Sequence, residues 1–177
     1  MNDRGQAGVG SGRARLALPV LFVPLVLAWA CGPPRERFGG THPSPEALAE
    51  VFLQALEAED RTRLEEIALS EREFRLEVFP EMPAYGNIPS GFAWSQLASR
   101  SVYGLSSVLH SHGGQAWVLE EIVFRGGTTA YQTFVVHREP VLRLRHRRTG
   151  ETRTLAGFGS VLEHDGRYKL FSFNIDR

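Results

Sequence analysis

The chain has 177 residues, 42% of them hydrophobic, and its twenty basic and twenty acidic side chains cancel at neutral pH. That length leaves room for one ordinary core once a short leader is set aside, and the apolar fraction excludes a protein of many membrane spans. The charge is polarised but mild: eleven acids stand against four arginines from Ser44 to Glu81, and eleven bases against seven acids from Arg100 to Arg177. Nucleic acid is therefore excluded as an expected partner.

The first element is a leader. Arg4, Arg13 and Arg15 precede the uncharged run LALPVLFVPLVLAWA, Leu16 to Ala30. A membrane-spanning helix needs about 20 apolar residues, and Pro19 and Pro24 disfavour one further. A basic start, a short apolar run and a small residue before the cut read as a secretory signal peptide over residues 1–30, so the chain is expected to be exported. Cys31, the sole cysteine, follows, then Gly32-Pro33-Pro34. Leu27, Ala28, Ala30 and Cys31 resemble the lipobox of bacterial lipoproteins, from which Trp29 departs at a position that is usually small or aliphatic. The resemblance implies lipidation at Cys31 and an anchor in the bacterial cell envelope, facing the periplasm or exterior. A single cysteine makes no internal disulfide, so stability must come from the core.

Residues 31–43, rich in proline and glycine, read as a flexible tether. A single domain is expected over 44–177. Ser44 and Pro45 signal a helix start, and Leu48, Val51, Phe52, Ala55 and Leu56 fall on one stripe. Asp60 marks a break before a shorter helix with Leu64 and Ile67. Ser70 and Glu73 have capping-box spacing and open a turn holding Phe74 and Val78. Met82 to Gly91 reads as a loop, and a long helix is predicted from Phe92 to His112. From Gln115 the period becomes two. Strands are predicted over 117–124, 129–138, 141–147, 155–164 and 167–175, separated at Gly126-Gly127, Glu139-Pro140, Thr149-Gly150 and Asp165-Gly166. Short connections require antiparallel pairing. The expected class is α+β: N-terminal helices packed against a curved antiparallel sheet of about five strands.

That element order resembles the nuclear transport factor 2-like superfamily, in which a bent sheet wraps a long helix as a cone, and the ending GSVLEHDGRYKLFSF resembles uncharacterised bacterial members. The resemblance implies a cone-like fold and, in some members, cyclase or isomerase chemistry on a carboxylate in the cone. It implies no assigned activity here.

Strict alternation groups Glu121 with Trp117, Leu119 and Val123, which makes it a candidate cone carboxylate. His137, sharing a face with Tyr131, Thr133 and Val135, is a candidate acid or base. His110 and His112 would splay apart on a helix, and no metal site or cofactor is expected. Gly157-Phe158-Gly159-Ser160 reads as a sheet bend. Arg143, Arg145 and Arg147 alternate with apolar neighbours and, with Arg148 and Arg153, form a basic hairpin able to face an anionic partner. The expected function is a lipid-anchored, non-catalytic domain binding a small ligand or envelope protein, with pairing of two copies through the sheet face. The alternative is a small cyclase- or isomerase-type enzyme using Glu121 or His137.

Overall fold

The computed structural model describes residues 37–82 and 87–174; the signal segment and Cys31 lie outside them. Ser44 caps α1 (Pro45–Glu57), its side chain accepting from the Ala47 amide at 3.1 Å. The α1 stripe seals Leu48, Phe52 and Leu56 completely from solvent. Asp60 caps α2 (Arg61–Glu66) by accepting from the Arg63 amide. Ser70 and Glu73 make the predicted capping box, satisfying two amides that the first turn of α3 (Glu71–Glu73) would otherwise leave open. The chain runs on through a π-helical turn, Phe74–Val78, and a tight turn, Phe79–Glu81. The long helix α4 spans Ser90–His112, starting slightly ahead of Phe92.

The strands are β1 (Trp117–Phe124), β2 (Thr128–Ala130), β3 (Val135–His137), β4 (Pro140–His146), β5 (Thr152–Leu155), β6 (Ser160–His164) and β7 (Arg167–Ser172). They form two antiparallel sheets, ordered β1-β4-β5 and β2-β3-β6-β7. The two sheets share one bent hairpin. Arg125 N to Glu139 O (3.0 Å), Gly126 N to Arg138 O (3.2 Å) and Arg138 N to Gly127 O (3.3 Å) carry the pairing from β1–β4 into β2–β3. Gly126-Gly127 and Glu139-Pro140, expected to separate strands, are therefore bends, and the chain reverses at Tyr131 to Phe134. The α+β class and the curved antiparallel sheet stand, with the expected strands divided at their bends. At one such bend, between β5 and β6, Gly159 has φ +81° and an added Cβ would meet Ser172 O at 1.7 Å. Asp165 and Gly166 both have positive φ and close β6–β7 as a two-residue turn.

Alternation sends neighbouring residues of β6 and β7 to opposite faces. Val161 and Leu170 join a first core with α1, α2, the second half of α4, and β1, β4 and β5. Leu162 and Phe171 join a second core with Phe38, Phe74, Val78, Ala93, Phe134 and Val136. α4 serves both cores and crosses the chain at Gly104, where a Cβ would lie 2.8 Å from the Asn174 backbone.

The tether expected through Pro43 ends earlier. Phe38 is buried in the second core. Gly39 N donates to Glu73 Oε1 at 2.7 Å, and His42 and Tyr168 exchange two backbone hydrogen bonds of 2.8 Å. Burial of Phe38 and these bonds fix residues 38–42 to the domain.

Candidate functional site

The space enclosed by α1 and the first faces of the sheets is filled. Phe52 meets Phe158 edge-on with ring centroids 5.0 Å apart, and Leu142, Leu144, Leu155 and Leu170 are fully buried around them. Glu121 does not enter this core. The β1–β4 register slips between Leu119 and Glu121, and such a bulge breaks strict alternation. Leu119 and Ile122 consequently both pack on the core, while Glu121 turns outward and meets Arg143 Nη2 at 2.8 Å.

The arginine face is supplied with its own acids. Arg145 Nε donates to Glu120 Oε1 at 3.0 Å, and Arg147 reaches both carboxylate oxygens of Glu57 at 3.2 and 3.3 Å. Arg153 pairs with Glu151 at 2.7 Å and lies over the Trp117 ring. Arg148, at the tip of the β4–β5 hairpin, is exposed. The candidate anionic-partner surface is thus largely neutralised within the molecule.

His137 lies on β3 at the rim of the first core. Its Nε2 is 2.7 Å from Glu163 Oε2, and its ring packs near Phe124. Glu163 also hydrogen-bonds Tyr168, whose pKa is raised by burial and by the Glu163 charge. Glu163 escaped the sequence reading. The Asp165-Gly166 turn places it opposite Tyr168, but its approach to His137 depends on the non-local β3–β6 register. His42 Nε2 is buried with no hydrogen-bond partner among the described residues, and burial with the nearby Arg63, Arg167 and Lys169 charges lowers its pKa. His110 and His112 sit on the last turn of α4. Among the described residues no group of three or more His, Cys, Asp or Glu is placed to hold a metal.

Room for a ligand lies on the second face of β6–β7. One cavity of about 230 Å³ is lined by Phe74, Met82, Ile88, Phe92, Ala93, Leu97 and Phe171, with Gln96 and Arg100 as its polar members. A second, of about 290 Å³, has a more polar wall that includes Tyr131, Arg138, Glu139, Ser160 and Ser172. Met82 and Phe171 line both. The α4 wall follows from helical spacing: Ala93, Gln96, Leu97 and Arg100 fall at i, i+3, i+4 and i+7, on one face. Phe92 and Ile88 are large apolar side chains left exposed beside it, Phe92 by 56%. The sequence assigned these residues to helix and loop; what brings them together is the packing of α4 against β7 and against the Phe74–Val78 turn.

Among the described residues no helix is long and apolar enough to cross a membrane. The chain matches no protein-family model, and no curated protein or solved structure matches it significantly.

Proposed function

We propose that the chain is an exported protein held at the bacterial envelope through lipidated Cys31, and that its domain binds a small apolar ligand, without catalysis, at the cavities sharing Met82 and Phe171. The observation that carries ligand binding is the contrast between the two faces of β6–β7. The first face is closed by Phe52, Phe158 and the leucines around them. The second keeps two cavities with exposed apolar side chains at their margin. Concave, mostly apolar space with a few polar groups is the usual form of a small-ligand site. Export and anchoring rest on the basic start, the short apolar run and the lipobox resemblance at Cys31. The helices-then-bent-sheet order supports kinship with the nuclear transport factor 2-like superfamily. Two measurements test this. Mass spectrometry of the mature N-terminus should find an acylated Cys31; an unmodified cysteine or a cut elsewhere ends the anchor. Nile red, a neutral apolar probe, should bind saturably, and Phe92→Glu, at an exposed position, should abolish that binding without unfolding the chain.

The Glu163-bonded imidazole of His137 favours a second reading, a cyclase- or isomerase-type enzyme in which His137 moves a proton. Isomerisation of a β,γ-unsaturated ketone, lost in His137→Gln, would support it; no turnover with a series of such ketones removes it.

A further inference from the structure

We infer that the cavity between α4 and β7 takes an amphipathic monocarboxylate, its chain among Phe74, Ile88, Leu97 and Phe171 and its carboxylate on Arg100. This rests on the cavity being a ligand site and adds the chemical class of the ligand. Among the described residues the lining of this cavity is apolar except for Gln96 and Arg100 and includes no carboxylate. Among the described residues no acid lies within ion-pair distance of Arg100, in contrast to Arg143, Arg145, Arg147 and Arg153, each of which has one.

Among the described residues the charge lining this cavity therefore has one sign. An ammonium head would meet the Arg100 guanidinium and no lining acid. A neutral head would leave the guanidinium to water. A carboxylate matches the planar fork of arginine with two parallel hydrogen bonds. Gln96, one helical turn before Arg100, presents a further amide donor on the same face. The apolar side chains then supply the burial term for the tail. At roughly 30 Å³ for each water-sized group in a liquid, the cavity holds about eight such groups, which sets a medium-length chain as the matched ligand.

The test uses the full-length chain with Cys31→Ser, so that no acyl group of its own competes. Titration calorimetry compares octanoate with 1-octanol, which keeps the chain and removes the charge. Octanoate is expected to bind about tenfold more tightly, the scale of one charge-assisted hydrogen bond. In Arg100→Gln, at an exposed position, octanoate should fall to the affinity of octanol while octanol binding stays unchanged. Equal binding of the two ligands, or octanoate binding untouched by Arg100→Gln, overturns the carboxylate assignment and leaves the cavity as an apolar site. Binding of neither ligand overturns the cavity as a ligand site altogether.

Discussion

Lys169 Nζ lies 3.2 Å from Glu73 Oε1, with the two side chains only 3% and 11% exposed. Lys169 is the sole lysine of the chain, and it also donates to the carbonyls of Gly39 and Glu66. Glu73 in turn accepts from the amides of Gly39 and Ser70. The pair thus ties the segment around Phe38 to α3 and β7. Burial depresses the Lys169 pKa, partly countered by Glu73. Glu73→Ala should cost about 3 kcal/mol, because it strands a buried ammonium. Lys169→Met should cost less, since Glu73 keeps its Ser70 and Gly39 donors. Denaturant unfolding of the two single variants and the double variant measures both costs; equal costs that simply add would contradict the coupling.

Acid should destabilise the fold in two stages. Burial is the first cause of the lowered His42 pKa, followed by Arg63, Arg167 and Lys169. At Glu73 burial raises the pKa, but hydrogen bonds from Ser70, the Lys169 charge and the Gly39 amide outweigh it, and the net shift is downward. Glu81 is likewise lowered, burial being outweighed by its bonds to Thr133. In each case the folded state holds its proton less tightly than the unfolded chain. The stability these groups contribute is therefore complete above their ordinary pKa and lost as pH falls through the folded value. The loss should begin below the ordinary histidine value of 6.5 and steepen below the ordinary glutamate value of 4.5. Urea midpoints across that range read it directly, and a midpoint that rises on acidification would refute the assignment.

The arginine face makes a prediction about membranes. Arg143, Arg145 and Arg147 are all engaged by Glu121, Glu120 and Glu57. Replacing the three arginines with serine should leave binding to anionic liposomes at low salt unchanged. Each exposed pair should contribute no more than about 1 kcal/mol to stability. Weakened liposome binding would restore these residues, with Arg148 and Arg153, as an anionic-partner surface.

Two glycines carry the bend and the crossing of α4. Gly159→Ala combines a positive φ with a clash against Ser172 O, and should cost more than about 3 kcal/mol. Gly104→Ala presses on the Asn174 backbone and should destabilise by a smaller amount, because its closest approach is 2.8 Å rather than 1.7 Å and no positive φ adds to it. Thermal unfolding ranks the two, and a neutral Gly159→Ala would place the bend elsewhere.

The sequence held the local structure well. Ser44, Asp60 and the Ser70–Glu73 pair announce helix starts by side-chain chemistry that acts within one turn. The Asp165-Gly166 turn is equally local. What escaped the reading is non-local. Gly126-Gly127 looks like a chain reversal until Arg138 is known to lie opposite and keep the ladder running. Glu121 belongs to the core face by alternation, and only the slip in the β1–β4 register sends it outward. The cavity was the least legible feature. Its residues come from the π-helical turn Phe74–Val78, from Met82 and Ile88 outside the helices, and from α4 and β7, and no spacing along the chain encodes their meeting.

Met82 offers the most direct test of where ligand binds. It is one of two methionines, the other being Met1, and it lines both cavities. Labelling the methionine methyl groups gives a single internal reporter at the proposed site, read by NMR during titration with octanoate. The Met82 resonance should move saturably, with the Trp117 indole signal in the first core unchanged. A stationary Met82 resonance alongside a moving Trp117 signal would place the ligand under the first face of the sheet and contradict the account.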